Sequence, residues 1–173
     1  QVTSTDLQTV TYAVSGTELT INASSGVLSF VNTPDYETKT TYTATLTVTD
    51  ASSNATTQDI TVNVIDENDN APVITSAASF SVSETRLEPK LINQVTATDA
   101  DFNNSVALEY TVSGTELAID ISTGVLSFVN TPDYETKTTY TATVSVHDGD
   151  FTTTQDITVN VIDENDNAPV ITS

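Results

Sequence analysis

Apolar and polar residues alternate along most of this chain with a period of two. Across Thr41–Asp50, Tyr42, Ala44, Leu46 and Val48 fall on one side and Thr43, Thr45 and Thr47 on the other. Tyr140, Ala142, Val144 and Val146 repeat the pattern, and Ile60, Val62 and Val64 alternate with Thr61 and Asn63. Successive side chains of a strand point to opposite faces, so these runs predict strands with one buried and one wet face. Thr and Val, branched at Cβ, suit that backbone. Ser15-Gly16, Ser25-Gly26, Ser113-Gly114 and Asn32-Thr33-Pro34-Asp35 supply turn chemistry between runs. No segment carries a helical stripe. In the second half the pattern predicts seven strands, near 79–84, 92–98, 108–113, 116–121, 124–129, 139–148 and 153–162. The expected fold is all-β, with tandem seven-stranded Greek-key β-sandwiches of immunoglobulin-like type. Tyr42 and Tyr140 fall on the apolar face and are expected in the core.

The tandem arrangement follows from internal repetition. Gly26–Thr45 and Gly124–Thr143 are the same twenty residues, and Thr56–Ser76 is identical to Thr153–Ser173, at offsets of 98 and 97. The boundaries read as repeat 1 over 1–70 with a linker at 66–70, repeat 2 over 71–167 with a linker at 163–167, and 168–173 as the start of a following repeat. Repeat 1 has no counterpart of the first strand, Phe80–Arg86, and lacks five residues of the loop after Asp99. It is therefore expected to be the weaker repeat, with an open strand edge that invites weak head-to-tail association.

Charge narrows the function. Asp and Glu number 24 against 4 Lys and Arg, a formal charge of −20. That field repels phosphates and anionic lipid, which argues against nucleic acid and membrane partners. The chain has no Cys, which removes disulfides, zinc–thiolate sites and a cysteine nucleophile together. No stretch reaches the length of a membrane span and none reads as a signal peptide, so the expectation is a soluble piece of a longer protein.

The acids are grouped. Ser83-Glu84-Thr85, Asp99-Ala100-Asp101, Pro132-Asp133-Tyr134-Glu135 and Asp163-Glu164-Asn165-Asp166-Asn167 mark the second repeat, with Asp148 at the end of its sixth strand. The first repeat has Asp35-Tyr36-Glu37, Asp50 and Asp66-Glu67-Asn68-Asp69-Asn70. These motifs sit at strand ends and at the joint, where Asp35, Glu37, Asp66, Glu67, Asp69, Asp99, Asp101 and Asp148 could converge. Hard oxygen donors in that number suit Ca²⁺, which takes six to eight oxygens in flexible geometry. Zn²⁺ prefers nitrogen and sulfur, and the chain has a single His. The linkers lack the Gly and terminal Glu of an EF-hand. His147 reads as a strand-end surface residue, and Asp50, without a DxD partner, as surface.

The motifs S-E-T, D-A-D, D-Y-E, H-D-G and D-E-N-D-N-A-P, in this order, resemble a cadherin repeat over essentially the whole chain. The near-identical, Thr-rich, Cys-free copies are most similar to the cadherin-like repeats of giant bacterial surface adhesins. The resemblance implies three Ca²⁺ ions at each joint. The upper ions would take Asp35, Glu37, Asp66 and Asp69 with the Glu67 carbonyl. The lower ion would take the Asn68 side chain, the Asn70 carbonyl, Asp99, Asp101 and Asp148, with a carbonyl near Asn104 or Ser105. At the C-terminal joint it would assign Glu84, Asp133, Glu135, Asp163, Glu164 and Asp166. Repeat 1 has no counterpart of Glu84, and the chain has no Trp, so strand-swapped adhesion is not carried over.

The function implied is a calcium-stiffened structural and adhesive module at the cell surface or outside the cell, not an enzyme. Adjacent repeats of the same chain would be its first partners, and polysaccharide or another cell surface possible further ones. The alternative is a carbohydrate-binding module, which would need an exposed aromatic platform.

Overall fold

A computed structural model of the chain describes residues 2–3, 9–84, 90–101 and 107–172. The chain forms two compact units, Gln1–Glu67 and Asn68–Ser173. Both are all-β among the described residues, and no helix there is long and apolar enough to cross a membrane.

In unit 1, β1 (Val10–Val14), β4 (Thr41–Asp50) and β5 (Ala55–Asn63) form an antiparallel sheet in the order β1-β4-β5, and β2 (Leu19–Ile21) pairs with β3 (Leu28–Phe30). Unit 2 begins with the short β6 (Val73–Ile74), then β7 (Ser79–Ser83), β8 (Leu91–Gln94), β9 (Ala97–Thr98), β10 (Glu109–Val112), β11 (Leu117–Ile119), β12 (Val125–Phe128), β13 (Thr139–His147) and β14 (Thr152–Ile162). One sheet has the order β10-β13-β14-β7 and the other β11-β12-β8, with β6 and β9 as a separate ladder. Phe80, Val82, Tyr110, Val144, Val146, Ile157 and Val159 of the first sheet share a buried cluster with Ile92, Leu117, Leu126 and Phe128 of the second. The period-two runs thus become the inner faces of a sandwich. Tyr140 and Tyr42 are half-buried, each meeting a Phe edge-on with centroids 5.0 Å apart, Phe128 and Phe30 respectively.

The run expected as one strand over 92–98 is divided. Leu91–Gln94 pairs with β12, and Ala97–Thr98 pairs with β6 in the other ladder. The division falls at Val95, which is almost fully buried and donates its N–H to the Gly124 carbonyl at 2.8 Å, while the Thr96 carbonyl turns to accept from Thr75 N–H at 2.8 Å. Period two alone does not show where a chain leaves one sheet for another.

The two units differ at one edge. In unit 2, β7 runs parallel along β14, from Thr158↔Ser79 to Ile162↔Ser83. In unit 1 the corresponding strand is β5, which lies at an edge of its sheet among the described residues. Val144 and Val146 are sealed, whereas Leu46 and Val48, their counterparts, border an open cavity of about 400 Å³ with Val2 and Val10.

Gly124 holds the crossing point. Its φ is +69°, and a Cβ there would lie 2.3 Å from the Val95 carbonyl oxygen and 3.2 Å from the Tyr110 ring. Gly114 also has positive φ, +83°, but a Cβ there would meet nothing within 4 Å. Gly114→Ala should therefore cost only the left-handed backbone penalty, about 1–2 kcal/mol. Gly124→Ala should cost clearly more, because backbone must also shift. Denaturant unfolding of the two variants checks this, and equal losses would contradict it.

Candidate metal centre

Strand direction places two acidic groups at opposite ends of unit 2. β13 runs antiparallel to β14, so Asp148 follows one end of the sheet while Glu84 and Asp163 follow the other.

At the Asp148 end, Asp101 is buried and accepts from Asn70, the backbone N–H at 2.6 Å and Nδ2 at 3.0 Å. Asp101 N–H in turn donates to Asp99 Oδ1 at 2.9 Å. Asp148 is 4% exposed. Burial pushes its carboxyl up, but the N–H groups of Phe151 and Asp150, at 2.7 and 2.8 Å from Oδ1, with the nearby Asn68 amide and His147, hold it below the ordinary aspartate value. The carboxylate therefore stays ionised inside the fold. Among the described residues three oxygens at this end are buried without a hydrogen-bond partner: Asn68 Oδ1, Asp99 Oδ2 and Asp148 Oδ2. All are acceptors and two belong to carboxylates, so a cation satisfies them where another acceptor cannot. Asn104 and Ser105, expected to add a carbonyl, lie outside the described residues.

At the other end, carboxylate oxygens of Glu84, Glu135 and Asp163 lie within 4.8 Å of one another. Glu84, 4% exposed, accepts from Tyr134 N–H through Oε2 and from Glu164 N–H through Oε1 at 2.8 Å. Ser83 Oγ–H donates to Glu164 Oε1 at 2.7 Å. Two unit charges about 4 Å apart repel by ~1 kcal/mol in water and ~4 kcal/mol at an effective dielectric constant of 20, a repulsion that a bound cation would offset. The donor set of both groups is all oxygen and fits Ca²⁺. The part of the Ser83 hydroxyl and of the Tyr134 and Glu164 N–H groups was not legible in the sequence, whose motifs pointed to carboxylates here and not to the donors that hold them.

Several other expected ligands are engaged by nearby groups. Asp133 is exposed and engages Thr136, through Oδ1 to N–H at 3.2 Å and Oδ2 to Oγ1 at 2.9 Å. Asp35 repeats this with Thr38, whose hydroxyl and N–H hold the Asp35 carboxyl below its ordinary value. Asp69 and Asp166 each accept from the amide of the following Asn, at 2.8 Å. In unit 1, Glu37 and Glu67 are exposed, and Asp66 is half-buried with Oδ1 unpartnered. Asp50, the counterpart of Asp148, has both oxygens filled by its own turn: Ser52 N–H, Asn54 N–H and Asn54 Nδ2, at 2.7–2.8 Å. His147 Nδ1 lies 2.7 Å from the Phe151 carbonyl.

The family model of the cadherin domain matches residues 78–162. Residues 78–162 are a cadherin domain. Human protocadherin-23 is 34% identical over 87% of this chain, and pig protocadherin-11 X-linked 33% over 88%. The chain spans 5% and 14% of those proteins. Extracellular cadherin domains 3–6 of protocadherin gamma B2 superpose over 92% of this chain and 42% of that one, with TM-score 0.81 and 25% identity. Mouse cadherin-23 EC22–24 superposes over 91% and 55%, with TM-score 0.75 and 28% identity. The module is thus of an extracellular, cell-surface class. The reported relatives are animal proteins of the cadherin family. They lend no support to the narrower likeness to bacterial adhesins, nor to polysaccharide as a partner.

The contrast between Asp50 and Asp148 gives a test. Asp148→Asn keeps the Oδ1 acceptor but replaces the open oxygen with an amide donor, so the thermal shift that calcium gives unit 2 should fall. Asp50→Asn should leave that shift unchanged. Scanning calorimetry in calcium and in chelator reads both, and equal loss in the two variants would contradict the assignment.

Proposed function

We propose that this chain is a calcium-binding structural repeat module of an extracellular adhesion protein. The observation that carries the reading is the set of three buried, donor-less oxygens of Asn68, Asp99 and Asp148 in unit 2. The cluster of Glu84, Glu135 and Asp163 at its other end supports it. Asn68, Asn70, Asp99, Asp101 and Asp148 would hold one ion, and Glu84, Glu135 and Asp163 would form the core of a second site, with Asp133, Glu164 and Asp166 adjoining it. Asp35, Glu37, Asp66, Glu67 and Asp69 enter this reading on sequence grounds. Bound calcium neutralises crowded carboxylates and so favours the folded, ordered linker. Consecutive repeats of one chain, at boundaries near 70 and 167, are the first partners this assigns. A second copy of such repeats would be a further partner, in line with the cis-dimer structure of protocadherin gammaB7 EC3–6.

The affinity expected is on the order of 10⁻⁵–10⁻³ M, the weaker part of the calcium range. At a hundredfold excess over the dissociation constant a single site adds about 2.7 kcal/mol to stability. Thermal unfolding should therefore shift upward in millimolar calcium and return on chelation. Magnesium, which demands octahedral geometry and keeps its waters, should give a smaller shift. An unfolding curve indifferent to calcium would remove the proposal.

A further inference from the structure

Glu135 is exposed, yet its carboxylate belongs to the set with Glu84 and Asp163. Something must fix the backbone that carries it. On its N-terminal side Tyr134 N–H is held by Glu84. On its C-terminal side stands Lys137, whose Nζ lies 2.6 and 2.7 Å from the two oxygens of Glu116 and 4.6 Å from the centroid of Tyr140. Tyr140 is in turn braced by Phe128. Lys137 N–H also donates to the Asp133 carbonyl at 2.8 Å, closing the turn that contains Glu135. Glu116 is tied down too, its carbonyl accepting from Val129 N–H at 2.9 Å.

We infer that Lys137, clamped by Glu116 and Tyr140, is a positioning residue that holds the Asp133–Lys137 turn so that Glu135 meets Glu84 and Asp163. An ordinary exposed ion pair contributes little, because two long side chains must be ordered for one contact. Here the ammonium contacts both carboxylate oxygens and rests on a ring already fixed by packing, so less freedom is lost. Unit 1 repeats the arrangement: Lys39 lies 2.6 and 2.7 Å from the Glu18 oxygens and 4.6 Å from the Tyr42 centroid. Two of the four basic residues in a chain of charge −20 are committed to this contact. The inference rests on the calcium reading of the Glu84 cluster.

Charge and geometry oppose each other, which makes the test sharp. Removing a cation near the site would tighten calcium binding by electrostatics alone, whereas losing the clamp loosens it. The double variant Lys137→Met/Glu116→Gln leaves the net charge at −20 and isolates the geometry. The readout is the calcium chloride concentration at half-change of the Glu164 amide resonance, followed by NMR on the folded chain. The double variant should raise that midpoint about threefold to tenfold, below the 10–100-fold of more tightly built supporting contacts. Lys137→Arg should keep the midpoint near the unaltered chain's, and Lys39→Met/Glu18→Gln should leave it unchanged. Should the double variant not fold, Lys137→Gln decides: weaker binding supports positioning, tighter binding overturns it. A double variant with an unchanged midpoint overturns the inference while the calcium reading stands. A Glu164 resonance that ignores calcium in the unaltered chain overturns both.

Discussion

Unit 2 is governed by an imbalance of acceptors over donors. Asn68 Oδ1, Asp99 Oδ2 and Asp148 Oδ2 are buried without a hydrogen-bond partner among the described residues, and the chain as a whole carries 24 acids against 4 bases. Among the described residues no N–H group or basic side chain reaches these oxygens. A hard divalent cation would offset the imbalance at each end of the sandwich. The strands place the acids, since each acidic group lies where a strand ends or where the linker leaves the last strand. The sandwich and its charge together are what motivate the metal role proposed for these residues.

The two units show how little sequence separates a satisfied carboxylate from an unsatisfied one. Asp50 and Asp148 both end the long strand that precedes the final hairpin. After Asp50 the chain supplies Asn54, whose amide and N–H close both carboxylate oxygens. After Asp148 the shorter turn supplies only N–H groups, both to Oδ1. One aspartate is complete within its turn, and the other keeps an oxygen free. A similar division separates Asp133, which serves its own turn, from Glu135, which reaches the Glu84 cluster.

Much of the fold was legible in the sequence because alternation along a strand maps directly onto the two faces of a sheet. Tyr140, Val144 and Val146 were assignable to the apolar face from spacing alone. The division of 92–98 was not legible, since it depends on Val95 settling against Gly124, a contact distant in sequence. For the acidic groups, motif content pointed to calcium, and Glu84, Glu135 and Asp163 were singled out and do come together. What the motifs could not show was hydrogen-bond direction: which carboxylates are consumed by local turns, as Asp35 and Asp133 are, and which retain an open oxygen. They also gave no hint that Lys137 and Glu116 would bracket the acidic turn, because the pair is 21 residues apart and lies in two different strand approaches.

If the buried orphan oxygens of unit 2 are cation ligands, a crystal structure grown with calcium chloride will hold an ion about 2.3–2.6 Å from Asp99 Oδ2, Asp148 Oδ2 and Asn68 Oδ1, the distance range of calcium–oxygen coordination. Well-ordered density that shows these oxygens bonded to protein donors or to water, with no ion between them, would contradict that assignment.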